Sequence, residues 1–373
     1  MIIRREDIQQ NCADILSAVD SNELSVLTET LELYVEDGIF YMNVTNREYY
    51  AQVRFNLGEN EDFRATVNAN LFLRLIAQIT TDTIEMKTNE TSLLIKGNGT
   101  YKLPLIFDGD KLLKLPEIII NNVTAEFDID SDILMSILQY NSKQLTVGTI
   151  SKPIQKLYYI DEQGAITFTS GACVNNFTLP QPVKMLLNKR LVKLFKLFKG
   201  KTVHFKLGYD AISDDIIQTK VSFVADNVSI TAILSCDDTM INSVPVSAIR
   251  GRANNIYPYS VNFNKEYLLE TITRLMLFTS TNSKEITAYS TFEFGPEEVT
   301  IYDSKKENKE ALYYNNDTCN ITEPYTTMLD LNDLKAVLES CSEQYITMAF
   351  GDNQAFLIKR GACVNVVPEI HSL

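Results

Sequence analysis

Two histidines are all the chain has, at 204 and 371, among 373 residues. His204 sits in Thr202-Val203-His204-Phe205-Lys206-Leu207, alternating along a strand pattern, and His371 is third from the end. A Ser-His-Asp triad or a His-rich metal site is hard to build from these. The six cysteines, at 12, 173, 236, 319, 341 and 363, include no CxxC pair. They read as reduced, mostly buried thiols rather than disulfides or metal ligands. No apolar run approaches the ~18–20 residues that span a bilayer. The start, Met1-Ile2-Ile3-Arg4-Arg5-Glu6-Asp7, turns charged at once and has no signal-peptide core, so the cytoplasm is the default compartment. There is no phosphate loop of the GxxxxGK(S/T) type, and Gly97-Asn98-Gly99 reads as a hairpin turn. Asp214-Asp215 and Asp237-Asp238 sit in loop-like stretches and read as solvated acids rather than a Mg²⁺ site. The sequence therefore predicts no catalytic site, no cofactor and no metal.

What is present is an ordinary folded composition. Hydrophobic residues make up 45% and charged residues 22%, which excludes wholesale disorder. The length predicts two or three domains. Net charge is −14, which on average argues against a nucleic-acid partner. The average conceals a concentration, because Lys184 to Lys206 holds eight Lys/Arg and no Asp or Glu. An acidic chain with one basic segment fits a protein with a single surface turned to phosphates, and equally a solvated helix face.

A unit recurs three times. Helical periodicity covers Arg5 to Val19, Ser131 to Leu145 and Asn264 to Phe278, with Asp130, Ser131 and Asn264 as caps. These helices begin about 125 to 135 residues apart. Each precedes a pair of strands: Gly38 to Asn46 with Tyr49 to Phe55, Gly164 to Gly171 with Val174 to Leu179, and Glu298 to Ser304 with Ala311 to Tyr314. Second helices follow at Asn68 to Ile79, Asn188 to Phe198 and Asp330 to Ser340. Each leads into a hairpin: Thr83 to Lys87 with Ser92 to Lys96, Thr202 to Leu207 with Val221 to Ala225, and Tyr345 to Phe350 with Ala355 to Lys359. Connections too short for βαβ crossovers favour an α+β fold over a parallel sheet. Polar or Pro-bearing stretches near Pro116 to Val123 and Arg250 to Pro258 divide the chain into domains at 1–122, 123–255 and 256–373.

The helix from Asn188 has two faces. At ~100° per residue, Lys189, Arg190, Lys193, Lys196 and Lys199 lie on one side. Leu191, Val192, Leu194, Phe195 and Phe198 lie opposite, with Leu197 at the border. One face can pack on a sheet while the other presents a row of cations.

The threefold unit, the length, the strand-ending pairs Thr45-Asn46 and Thr169-Ser170-Gly171, and the closing Val366-Val367-Pro368 resemble a bacterial-type DNA sliding clamp, the β processivity subunit of DNA polymerase III. The resemblance covers essentially the whole chain. It implies three tandem clamp domains, each with two helices on antiparallel sheets, closing into a ring on head-to-tail homodimerisation. Sequence-independent binding of double-stranded DNA, a clamp loader, a replicative DNA polymerase docked by a peptide, and no catalysis come with it. The stretch Thr169-Ser170-Gly171-Ala172-Cys173-Val174 stands where the family carries a His-Arg pair, and the tail is Pro368-Glu369-Ile370-His371-Ser372-Leu373. Those departures point to a divergent clamp, encoded by a bacteriophage and working in its host's cytoplasm.

On this reading the lysine face of Lys189 to Lys199 is the first DNA candidate, since counterion release at phosphates carries no sequence information and permits sliding. A solvated face or an anionic-membrane patch has the same pattern. Arg4, Arg5, Arg74, Arg274 and Lys335 are weaker DNA candidates on four of the other five helices. The resemblance puts the dimer interface at Tyr101 and Leu103 on one side and Leu277 and Phe278 on the other, residues that could equally be core. It puts a partner-peptide pocket at Ile154, Thr169, Gly171, Val174, Ile241, Pro245, Val246, Asp330, Val366, Val367 and Pro368. The rival reading is a non-enzymatic structural or assembly protein built from repeated β-rich domains.

Overall fold

The computed structural model describes residues 1–19, 25–58, 62–142, 153–168, 171–213, 216–234, 238–278, 289–315, 319–351 and 355–369. The chain forms two compact units that interleave along the sequence. Unit 1 comprises Met1–Asp132 and Leu194–Ser235, and unit 2 comprises Ile133–Lys193 and Cys236–Leu373.

One local device recurs throughout: a strand runs straight into a helix. It occurs at Ile2–Arg4 into α1 (Arg5–Leu16), Arg64–Asn68 into α2 (Ala69–Gln78), Asn122–Asp130 into α3 (Ser131–Ser136) and Lys184–Asn188 into α4 (Lys189–Lys193). The short helices α5 (Asp238–Asn242) and α6 (Val246–Ala253) stand outside this pattern. The device then returns at Tyr259–Asn264 into α7 (Lys265–Leu275) and Tyr325–Asp330 into α8 (Leu331–Glu339). In five of these six junctions an Asn or Asp closes the strand and its side chain accepts a backbone N–H of the first helical turn: Asn68 from Leu71, Asp130 from Asp132, Asn188 from Leu191, Asn264 from Glu266, and Asp330 from Asn332. Those oxygens satisfy donors that a helix start would otherwise leave open.

In unit 1 an eight-stranded sheet runs in the order Asn122–Asp130, Thr202–Ser213, Ile216–Ala225, Val228–Ile233, Tyr49–Asn56, Ile39–Thr45, Thr30–Glu36, Arg64–Asn68. A four-stranded sheet orders Ile2–Arg4, Thr83–Thr88, Ser92–Lys96 and Thr100–Pro104. Unit 2 repeats the plan. Its eight-stranded sheet runs Lys184–Asn188, Leu157–Asp161, Gly164–Phe168, Ala172–Asn176, Cys363–Pro368, Ala355–Arg360, Tyr345–Phe350, Tyr259–Asn264, and its four-stranded sheet runs Lys309–Tyr313, Glu298–Tyr302, Tyr289–Phe294, Tyr325–Asp330. The pairings are antiparallel, as the short connections required, and the α+β expectation holds. Asp37 and Gly38 take φ of 50° and 74° between Thr30–Glu36 and Ile39–Thr45, the two positive values a tight two-residue hairpin needs.

Each eight-stranded sheet joins strand sets that are far apart in sequence. Val228–Ile233 pairs with Tyr49–Asn56 in unit 1, and Ala172–Asn176 pairs with Cys363–Pro368 in unit 2. The core of unit 2 includes the aromatic cluster of Phe294, Phe350, Phe356, Tyr259 and Tyr325, in which the Phe294 and Phe350 rings lie 4.3 Å apart. The cysteines at 12, 173, 341 and 363 are buried free thiols and Cys319 is half-buried, while Cys236 lies outside the described residues.

Helix ends depart from the uniform periodicity. The predicted helix from Ser131 is α-helical to Ser136 and then a π turn over Ile137–Asn141, and its predicted end at Leu145 lies outside the described residues. The predicted helix to Phe278 gives way to a 3₁₀ turn over Met276–Phe278. Arg250 to Ala253, read as part of a polar boundary, belongs to α6.

Asn122–Asp130 is an edge strand and alternates buried Ala125, Phe127 and Ile129 with exposed Glu126, Asp128 and Asp130. Such charges discourage edge-to-edge pairing. On the neighbouring strand His204 lies between two of them, Nδ1 at 2.7 Å from Asp128 and Nε2 at 2.8 Å from Glu126. Hydrogen bonds to Asp128 and then Glu126 raise the imidazole pKa above 6.5. A raised folded-state value stabilises fully below the unfolded value and is lost as pH rises through the folded one. The Tm difference between wild type and His204→Gln should therefore be largest on the acid side of pH 6.5 and shrink above it. A difference that grows with pH would refute this linkage.

Candidate nucleic-acid face and peptide groove

The basic segment folds as the wheel predicted, with one change of geometry. In unit 2, α4 buries Leu191 and Val192 and exposes Lys189, Arg190 and Lys193. In unit 1, Leu194–Phe198 is a 3₁₀ turn that buries Leu194, Phe195, Leu197 and Phe198 and exposes Lys196, with Lys199 exposed just beyond. Three residues per turn eclipses positions i and i+3. Leu197 therefore stacks under Leu194 and turns inward, 8% exposed, instead of sitting at a border, and Lys199 follows Lys196 outward. Phe195 and Phe198 lock this turn onto the sheet, their rings 5.0 and 6.2 Å from Phe223.

The ion pairs found among the described residues leave Lys189, Lys193, Lys196 and Lys199 without an acidic partner. No acid occupies the first turn of α4, so Lys189 and Arg190 add to the positive end of the helix instead of balancing it. The weaker candidates differ. Arg74 is exposed on α2. Arg4 Nε bonds Asp7 at 2.8 Å, and Arg5 donates to the Thr80 carbonyl. Lys335 reaches Glu339 at 4.0 Å. Arg274 is half exposed, and its guanidinium grips Glu310 in a fork at 2.8 and 2.9 Å.

Of the interface candidates, Leu277 is 79% and Phe278 53% exposed, carried outward by the 3₁₀ turn after α7. Tyr101 is half-buried on the edge strand Thr100–Pro104. Leu103 is corrected to core, because its side chain is 3% exposed and alternates inward along that strand.

Within unit 2, α6 is flanked by two cavities. A groove of about 350 Å³ is lined by Phe168, Gly171, Ala172, Pro245, Ala248, Ile249, Arg252, Ala355, Val366, Val367 and Pro368. Gly171 is required there, since a Cβ at that position would collide with the Val366 carbonyl oxygen. On the other side a cavity of about 700 Å³ is lined by Tyr159, Asp161, Lys184, Ile241, Val246 and Arg250 among others. Arg250 reaches across it in a fork to Asp161, at 2.6 and 2.7 Å, which ties α6 to the strand Leu157–Asp161. The hydrogen bond to Asp161 raises the Arg250 pKa above its usual value.

The structure thus brings Gly171, Pro245, Val366, Val367 and Pro368 together in the groove. Ile241 and Val246 face the neighbouring cavity, while Ile154 and Val174 pack in the apolar core around Tyr159 and Leu357. Thr169 lies outside the described residues. Asp330 is corrected: it caps α8 and is not among the groove residues. Burial outweighs its hydrogen bonds and raises its pKa. Phe168, Ala172, Ala248, Ile249, Arg252 and Ala355 are groove residues that the sequence reading missed. The only local signal was the i, i+3, i+4 spacing of Pro245, Ala248 and Ile249 along α6.

Among the described residues, no group of three or more His, Cys, Asp or Glu side chains could hold a metal ion. Asp214, Asp215 and His371 lie outside those residues. No helix of the described residues is long and apolar enough to cross a membrane.

No family model matches the chain, and no curated protein matches it in sequence. Solved structures do match over its full length. A DNA polymerase III subunit beta from Pseudomonas aeruginosa superposes with TM-score 0.83 at 15% identity, covering 100% of both chains. A DNA polymerase sliding clamp from Bacillus subtilis gives 0.80 at 15%, covering 100% of this chain and 99% of that one. The beta subunit from the DNA polymerase of Streptococcus pyogenes gives 0.81 at 14%, with the same coverage. The repeated strand-to-helix device, the paired eight- and four-stranded sheets and these superpositions agree: the chain has the fold of the bacterial DNA sliding clamp.

Proposed function

We propose that the protein is a DNA polymerase processivity factor, a clamp of three tandem domains (1–122, 123–255, 256–373) that closes around duplex DNA as a head-to-tail homodimer. The observation that carries this reading is the exposed lysine run from 189 to 199 on a chain of net charge −14. Flexible lysines hold phosphates loosely and without base contacts, which suits sliding. The acidic remainder disfavours DNA on other surfaces. The protein catalyses no reaction in this role and works in the cytoplasm, that of the host if a bacteriophage encodes it. A clamp loader opens the ring.

The apolar groove beside α6 is the proposed dock for a linear peptide of the replicative polymerase. Its floor is aliphatic, and Arg252 stands exposed at its edge, suited to an acidic side chain or a terminal carboxylate. Dimer closure uses Leu277, Phe278 and Tyr101, beside the open edges of Thr100–Pro104 and Lys309–Tyr313. In sedimentation at micromolar concentration, Leu277→Asp with Phe278→Asp should convert a dimer to a monomer of unchanged Tm. An unaltered dimer would place the interface elsewhere.

The deciding experiment loads the protein on nicked circular plasmid, separates it by gel filtration, and repeats the run after linearising the DNA. Retention on the circle with loss from the linear form is the expected topological signature. Equal retention on both means ordinary phosphate binding. No retention on either, alongside large homo-oligomers, supports a structural assembly protein instead.

A further inference from the structure

Arg360 is 2% exposed in unit 2, and its guanidinium carries a permanent charge. It donates to the Val337 carbonyl at 3.0 Å, to Asn365 Oδ1 at 2.8 Å and to Ser340 Oγ, all of them neutral. None of the ion pairs found among the described residues involves it. An unbalanced charge at that depth is costly. The remaining atoms at the guanidinium are two sulfurs, Cys363 Sγ at 3.5 Å and Cys173 Sγ at 3.7 Å, which lie 3.4 Å from each other.

The sheet register explains the meeting. On the paired strands Ala172–Asn176 and Cys363–Pro368, Cys173 faces Asn365 and Asn175 faces Cys363. The two cysteines are therefore diagonal neighbours on one face of an antiparallel pair, within reach of each other. We propose that Cys173 and Cys363 form an oxidation site, a thiolate and a thiol sharing one proton against Arg360, which a small hydroperoxide converts to a disulfide.

The shared proton follows from the geometry, since one negative sulfur supplies the charge Arg360 lacks. Burial pushes the Cys173 thiol up, but the hydrogen bond from Cys363 and the charge of Arg360 outweigh it, and the net shift is downward. The hydrogen bond to Cys173 and then burial push Cys363 the opposite way. Other titratable groups nearby stay out of the exchange. Cys341 is pushed up to about 11, by burial first, and bonds Glu343 at 3.1 Å. Glu343 also accepts from the Tyr140 hydroxyl at 2.7 Å, and the Tyr140 ring lies 5.2 Å from the Arg360 guanidinium carbon.

In the reaction the Cys173 thiolate attacks one peroxide oxygen, forming an S–O bond as the O–O bond breaks and hydroxide leaves. Cys363 sulfur then attacks Cys173 sulfur. The S–O bond breaks, and the departing oxygen takes the Cys363 proton to leave as water. The sulfur pair loses two electrons, which the peroxide gains. The sulfurs must close from 3.4 Å to ~2.05 Å, a small shear of the two strands.

The test uses the full chain. Reduced wild type at neutral pH should show the ultraviolet absorbance of one thiolate per chain, retained in Cys12→Ser and lost in Cys173→Ser. With stoichiometric hydrogen peroxide, wild type should lose two of its six alkylatable thiols. Peptide mapping should join residues 173 and 363. Cys363→Ser should stop at a Cys173 sulfenic acid trapped by dimedone. Any one of three results in wild type overturns the proposal: no thiolate band, six thiols surviving peroxide, or a disulfide to another cysteine. Because those readings need no substitution, a variant that fails to fold does not weaken the test.

Discussion

With Lys189, Lys193, Lys196 and Lys199 all changed to Ala, binding to duplex DNA should lose most of its dependence on salt. Each phosphate neutralised contributes about 0.9 to the slope of log affinity against log salt. Four such contacts make the variant's slope shallower by roughly 3–4, so between 50 and 200 mM salt wild type should lose about a hundredfold more affinity than the variant. The four side chains are exposed and unpaired with acids among the described residues, so Tm should hardly move. Arg274→Ala is the contrasting control: its guanidinium is committed to Glu310, and the salt slope should stay as in wild type. An unchanged slope in the quadruple variant would remove the lysine run from the DNA path.

Arg250→Ala should be the most damaging single change in unit 2. The Arg250 and Asp161 side chains are 14% and 5% exposed, so removing one partner leaves a nearly buried charge without its counterion. Such losses cost about 3–5 kcal/mol, which for a unit of this size lowers Tm by roughly 6–20 °C. The same contact positions α6, which presents Ala248, Ile249 and Arg252 to the groove. Peptide affinity should therefore fall with stability, although Arg250 itself lines the other cavity. Asp161→Asn combined with Arg250→Gln, which removes both charges, should recover a large part of the loss. Additive damage in the double variant would mean the pair is not coupled.

The strand-to-helix junctions were legible because their cause is local. Asn68, Asn188, Asn264 and Asp330 each end an alternating run and begin an i, i+3, i+4 run. The two faces of the basic segment were legible for the same reason, down to the single border residue, Leu197, that the 3₁₀ turn moved inward. The groove was not. Its residues are Phe168, Gly171 and Ala172, several of Pro245 to Arg252, Ala355, and Val366 to Pro368, and no periodicity links segments that meet only through strand pairing. Its central helix α6 carries Gly251 between two arginines and reads as a polar connector. Asp330 entered the expected pocket by resemblance, whereas its capping role could be read from the residues alone. The Arg274–Glu310 ion pair and the burial of Leu103 were not legible, because a helix wheel does not reveal an acid on another strand, nor a strand's alternation which face is covered.

The pairing of Ala172–Asn176 with Cys363–Pro368 has a consequence for how the protein is made. The strand Cys363–Pro368 is fifth of eight in its sheet, and its partner Ala172–Asn176 was synthesised some 190 residues earlier. Until the ribosome releases Cys363–Pro368, the sheet is two half-sheets, each with a bare hydrogen-bonding edge where the other should join. Such edges recruit stray strands, and contacts this distant in sequence form slowly. A nascent chain halted shortly before residue 363 would thus hold two unjoined half-sheets and be prone to aggregate. The apolar groove beside α6, which Val366, Val367 and Pro368 help to line, would form only once that strand is in place.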